Sequence, residues 1–187
     1  GQLNQRNSKY EIRFELFDAF RGEQLSGYNI PSRTKQLRNN AHVISDIIYE
    51  KITGQKGDFA TQVAYVTAIK KQKQLQYSLH IADSDGYNAQ QIVISDEPLL
   101  SPAWSPDGNM LSFSAPSMNA TNGIDIWILD INSPGSDPLD LSNQPGDETE
   151  PVWSPDGTTI AFNYSKPDSD VHLIYFMDID GSNFHPI

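Results

Sequence analysis

Apolar and polar side chains alternate one by one from Tyr10 to Leu16. Tyr10, Ile12, Phe14 and Leu16 fall on one side, Glu11, Arg13 and Glu15 on the other. A period of two belongs to a strand with one buried face, so this run predicts a β-strand. Arg21-Gly22-Glu23 predicts a turn. Gln24 to Ile30 predicts a second strand that Pro31 closes, because proline cannot donate to a ladder. The period then changes. Leu37, Ala41, Ile44, Ile48 and Ile52 recur every three or four residues, which puts them on one face of a helix. Ser32 and Thr34 are its candidate caps and Gly54 its stop. Residues 1–54 thus predict strand, strand, helix: the C-terminal part of an N-terminal α/β domain.

Beyond Gly54 the helical period disappears. Residues 55–187 predict an incomplete β-propeller, because a unit recurs along them. Ser101-Pro102-Ala103-Trp104-Ser105-Pro106-Asp107-Gly108 and Glu150-Pro151-Val152-Trp153-Ser154-Pro155-Asp156-Gly157 match at six of eight positions, 49 residues apart. An aromatic strand follows each copy, Leu111-Ser112-Phe113 and Ile160-Ala161-Phe162, and Val63-Ala64-Tyr65-Val66 is a third. A later strand ends in Asp83, Asp130 and Asp178, at spacings of 47 and 48. A unit of that length holds about four short strands, which is one propeller blade. Blade 1 is expected to supply three strands within 62–95, blade 2 to span 101–142, and blade 3 to begin within 150–187. About two and a half blades do not close a ring, so unpaired strand edges are expected. Pro-Asp-Gly makes a tight turn, since proline presets φ, aspartate bonds nearby backbone and glycine accepts positive φ. Asp85-Gly86 and Asp180-Gly181 predict hairpin turns. Trp104 and Trp153 are expected to pack between neighbouring blades, each in its own four-stranded, radially arranged sheet.

Charge changes the picture of possible partners. Residues 1–54 hold 8 Lys/Arg and 6 Asp/Glu, a balance of +2, whereas the remainder holds 5 and 18, a balance of −13. That negative surface repels phosphate, which argues against nucleic acid and anionic lipid and favours a cationic protein patch or a divalent cation. Cysteine is absent, which excludes disulfides and thiolate metal sites. No apolar run reaches the length of a membrane span, so no membrane insertion is expected. The first residues carry no apolar leader.

The repeat resembles the propeller repeats of TolB, tricorn-type proteases and prolyl-oligopeptidase relatives. His42-Val43-Ile44-Ser45-Asp46-Ile47-Ile48-Tyr49-Glu50-Lys51-Ile52-Thr53-Gly54, then Gly57, Phe59, Ala64-Tyr65-Val66 and Asp83-Ser84-Asp85-Gly86-Tyr87-Asn88, resemble the junction between the two domains of the TolB family. That resemblance implies a periplasmic, non-catalytic scaffold of the Tol-Pal system that supports outer-membrane integrity and cell division. It implies that the propeller binds the lipoprotein Pal, and that TolA is bound by a segment lying upstream of Gly1. The loops leading into each Trp-bearing strand would meet Pal, which singles out Leu100, Ser101, Asp147, Glu148, Thr149 and Glu150.

Catalytic motifs do not appear. There is no G-x-S-x-G and no H-E-x-x-H. His42 lies on the predicted helix and reads as a packing or hydrogen-bonding residue. In Asp83-Ser84-Asp85-Gly86 and Asp178-Ile179-Asp180-Gly181 glycine follows the second aspartate directly, which fits hairpins and not EF-hand loops. Asp147, Glu148 and Glu150 bunch where a closed ring would have its mouth, and related propellers hold Ca²⁺ in their channel. Ca²⁺ is thus the one candidate cofactor, with no metal ligand assigned. Asn119 to Asn122 reads as a polar loop. The alternative functions are a substrate-gating propeller of a serine peptidase, and a sugar-acid lyase. The lyase needs clustered metal-binding histidines, which His42, His80, His172 and His185 do not offer in sequence.

Overall fold

The computed structural model describes every residue except Ser8, 118–122, Pro134, Asn143, Asp168, Asp170 and the side chain of Arg6. The loop expected at Asn119 to Asn122 lies outside the described residues. The chain divides into two compact units, residues 1–63 with 82–88, and residues 64–81 with 89–187.

The first unit opens with an antiparallel sheet in the order β1 (Gln2–Arg6), β2 (Lys9–Asp18), β3 (Glu23–Arg33). In β2 the expected alternation holds, with Phe14 buried and Tyr10, Ile12 and Leu16 half-buried. β1 escapes the pattern because Leu3 is its one apolar residue; ladder bonds to β2, not burial, make it a strand. β3 runs through Pro31, which sits opposite Glu11 and does not end it. Proline is tolerated there because β3 is an edge strand, whose outer side needs no donor.

A 3-10 turn (Thr34–Gln36) leads into α1 (Leu37–Thr53). Neither expected cap acts. Gln36 is the N-cap without a side-chain bond, and the Ser32 hydroxyl donates instead to the Arg33 carbonyl, 3.1 Å. The stop is as expected. Gly54 adopts φ 74° and its N–H donates to Glu50 O at 2.8 Å. Ile44 and Ile48 are half-buried, Ala41 and Ile52 exposed. The Asp46 carboxylate then takes the N–H groups of Phe59 and Ala60, 2.7 and 2.9 Å, and holds the loop after the helix. Gly57 is required there, since a Cβ would strike Asp46.

The second unit holds the repeats. β4 (Gln62–Lys71), β5 (Gln74–Asp83) and β6 (Gln90–Ser95) form a three-stranded blade. β7 (Leu100–Trp104), β8 (Met110–Pro116), β9 (Ile124–Asp130) and β10 (Leu139–Asp140) form the second. β11 (Asp147–Trp153), β12 (Thr159–Ser165), β13 (His172–Asp178) and β14 (His185–Pro186) form the third. The third blade thus starts at Asp147 and reaches a short fourth strand.

The two Trp-Ser-Pro-Asp-Gly turns are built alike. Ser105 Oγ donates to Asp107 Oδ1 at 2.6 Å and accepts Met110 N at 2.9 Å. Ser154 Oγ donates to Asp156 Oδ1 at 2.6 Å and accepts Thr159 N at 3.0 Å. Gly108 and Gly157 take φ 70° and 72°.

Two hydrophobic layers separate three blades. Leu79, Leu99, Leu111, Phe113 and Leu129 fill the first, with Trp104 and Trp127 against it. Ile126, Ile128, Ile160, Phe162, Tyr175 and Met177 fill the second, with Trp153 against it. Consecutive residues of β9 therefore serve opposite layers, so the middle blade is apolar on both faces. Each fully buried phenylalanine, Phe113 and Phe162, contributes about 2–3 kcal/mol.

Blades 2 and 3 meet through one parallel pair, Asp147 opposite Ile124, where Asp147 Oδ1 accepts Ile124 N at 3.0 Å. Trp104 and Trp153 consequently share one continuous eight-stranded ladder, in contrast to the separate sheets expected. The link is a single residue pair, and each tryptophan still lies in its own antiparallel four-stranded blade. The pair forms because Gly123 and Gly146 cross beside it. A Cβ on Gly123 would strike the Gly146 carbonyl, and one on Gly146 the Ser165 carbonyl.

Candidate functional site

Leu100, Ser101 and residues 147–150, expected in loops, lie instead at the starts of β7 and β11, which form equivalent corners. Ser101 and Glu150 both take left-handed φ, 47° and 57°, and each precedes a proline, Pro102 or Pro151. Proline bars its predecessor from the right-handed helical region, and the left-handed one inserts an extra residue. The ladder accordingly slips between Leu100 and Ala103, and between Thr149 and Val152. The bulge re-aims the side chains. Leu100 is 40% exposed, and Ser101 and Glu150 face outward. Two of the acids are fixed in place: Asp147 on Ile124 N, and Glu150 Oε2 by the Asn163 side-chain amide at 2.6 Å. Thr149 is half-buried.

Glu148 differs from the other five residues singled out in the sequence. It is fully buried and offers a partner no surface. Ser142 Oγ donates to its Oε2 at 3.3 Å and accepts Ile126 N at 2.9 Å. Burial first, then the adjoining Asp125 carboxyl, push Glu148 up to about 9. Asp125 is also fully buried. Burial, and then Glu148, raise the Tyr164 hydroxyl, which donates to Pro145 O at 2.8 Å. Sequence reading gave Asp125 and Asn163 no role. One signal was available for the burial of Glu148: 49 residues before it the repeat has Leu99, a core residue 3% exposed.

Among the described residues, Asp147, Glu148 and Glu150 do not converge as ligands; the grouping with metal-like spacing is His42, Asp83 and Asp85, in the first unit. Arg38 already occupies it. Its guanidinium bonds Asp85, reaches Asp83 at 3.5 Å and lies 4.0 Å over the Tyr87 ring. The Tyr87 N–H first, then Arg38, hold Asp85 below the usual carboxylate range. His42 Nε2 sits 3.6 Å from Asp85, just beyond hydrogen-bond reach. Asp83-Ser84-Asp85-Gly86 and Asp178-Ile179-Asp180-Gly181 are hairpin turns, each closed by a glycine N–H to the first aspartate's carbonyl.

Antiparallel blades, interleaved tryptophans and a bulged rim of short loops define a β-propeller protein. The chain belongs to the TolB β-propeller family: the family model described as "TolB beta propeller domain" matches residues 49–187. Among curated relatives it is 46% identical over 129 residues to the Tol-Pal system protein TolB of Xylella fastidiosa (strain M12), covering 69% of this chain and 29% of that protein. It is 49% identical over 111 residues to the Tol-Pal system protein TolB of Xanthomonas oryzae pv. oryzae (strain MAFF 311018), covering 59% and 25%. The crystal structure of TolB from Acinetobacter baumannii superposes with a TM-score of 0.80 at 29% identity, over 100% of this chain and 45% of that one. The chain spans about a quarter of the length of the curated relatives it matches.

Proposed function

We propose that the chain is part of a non-catalytic, periplasmic scaffold of the Tol-Pal system, whose propeller binds the lipoprotein Pal and so supports outer-membrane integrity and cell division. The observation that carries this reading is the paired bulge at Ser101 and Glu150. The starts of β7 and β11 take equivalent corners whose left-handed backbone costs about 1–3 kcal/mol each, a strain that the surrounding blade sustains. A rim fixed in advance meets a partner at little entropic cost. Leu100 supplies an apolar contact, while Ser101, Asp147, Thr149 and Glu150 supply polar ones. The acidic side chains favour a cationic patch and should make association salt-sensitive. Among the described residues no helix is long and apolar enough to cross a membrane.

The test is a pull-down of Pal by the full-length protein and by this chain, each repeated with Glu150→Lys. Capture by the full-length protein that weakens in the lysine variant supports the reading. No capture by the full-length protein removes its functional content.

A further inference from the structure

We propose that Asp125 and Glu148 hold a single proton between them, and that this shared proton fastens blade 2 to blade 3 at the start of β11. Both side chains are 0% exposed. Among the described residues, both carboxyl oxygens of Asp125 and Oε1 of Glu148 meet no hydrogen-bond donor, and the Ser142 hydroxyl serves only Oε2. Among the described residues no ion pair reaches either group. The titratable neighbours bring no positive charge. Asp147 of β11 adds negative charge, and Tyr164 of β12 spends its hydroxyl on Pro145 O. Two ionised carboxylates in a low-dielectric pocket would repel with nothing to offset them. One proton converts that repulsion into a short charge-assisted hydrogen bond.

The repeat shows that the fold does not require this pair. One blade earlier the corresponding positions are Leu99 and Ser78, 3% and 4% exposed, and Ser78 Oγ is bonded by the Gln91 amide at 2.6 Å. The same interface is thus uncharged once and acidic once, and in the acidic copy three carboxyl oxygens are left without a donor among the described residues. The upward push on Glu148 agrees with a proton in that place. The sign follows. Between the ordinary glutamate range and about 9 the folded chain holds a proton that the unfolded chain has released, so the stability it contributes is lost as pH rises through that window.

Denaturant midpoints of the 187-residue chain at pH 5.5, 7 and 9 test this against Glu148→Gln, whose amide donates to Asp125 at any pH. The wild-type midpoint should fall with pH and the variant should lose most of that slope. Wild type at pH 7 should also show the infrared carbonyl band of a protonated carboxylic acid, absent from Glu148→Gln. The double variant Asp125→Ser/Glu148→Leu carries the blade 1 pair and should fold with no such slope, which keeps the question open to test if the glutamine variant fails to fold. Equal slopes in wild type and variants, or no band in wild type, overturn the proposal. So does stabilisation by added Ca²⁺ that Glu148→Gln abolishes, which would put a cation where the proton is proposed.

Discussion

At Trp153 the indole N–H donates to Ala103 O at 3.2 Å and to Ser112 Oγ at 2.9 Å, both one blade back. Trp104 holds the equivalent place in the preceding copy, yet its buried N–H has no acceptor among the described residues. The two residues should therefore respond differently to removal of the N–H. Trp153→Phe should cost about 1–3 kcal/mol, because it strands buried acceptors, and Trp104→Phe clearly less. Urea denaturation of both variants checks the contrast. The turn aspartates give a second prediction. Hydrogen bonds, led by the serine hydroxyl two residues away, hold Asp107 and Asp156 below the usual carboxylate range. A depressed folded value means that their contribution is present above the ordinary aspartate range and lost as pH falls through the folded one. Ser105→Ala with Ser154→Ala should flatten the acid limb of a stability–pH profile.

Elements meet where glycine permits. The bridge between β9 and β11 depends on the crossing of Gly123 and Gly146, and a methyl group on either meets backbone. Backbone gives way less readily than a side chain, so Gly123→Ala should cost about 2 kcal/mol or more. Amide exchange at Ile124, whose N–H Asp147 holds, should accelerate more than exchange in β5. Gly54→Ala makes a milder comparison. It has open space around it but positive φ, so a cost of about 1 kcal/mol is expected from conformation alone, measurable as a drop in Tm.

Across the whole molecule, β4 has β5 as its neighbour on one side and an edge on the other. β4 is ten residues long and carries exposed Val63 and Ile69. A long apolar edge is a template for a second chain. Sedimentation velocity should show association that grows with concentration, and Val63→Lys should reduce it without lowering Tm. Monomer at every concentration would refute the edge argument.

Local order was legible because it is written in local periods. The alternation in β2, the face carrying Ile44 and Ile48, the Ser-Pro-Asp-Gly turns and the two tryptophans are each set by neighbours a few residues away. Repetition extends that reading to whole blades. The strand β1, the absent side-chain cap on α1 and the continuation through Pro31 were not legible, because ladder partners decide them. The rim divides in the same way. Leu100, Ser101, Asp147 and Glu150 face outward as read, although from the starts of strands and not from loops, whereas Glu148 in an acidic run reads as surface. Its burial arises only when β11 closes over β9, and no period of two along β11 encodes which strand lies beneath. Sequence alone thus set the blades and their turns, since those depend on nearest neighbours. Tertiary packing set which carboxyls lose their water, since that depends on the blade next door.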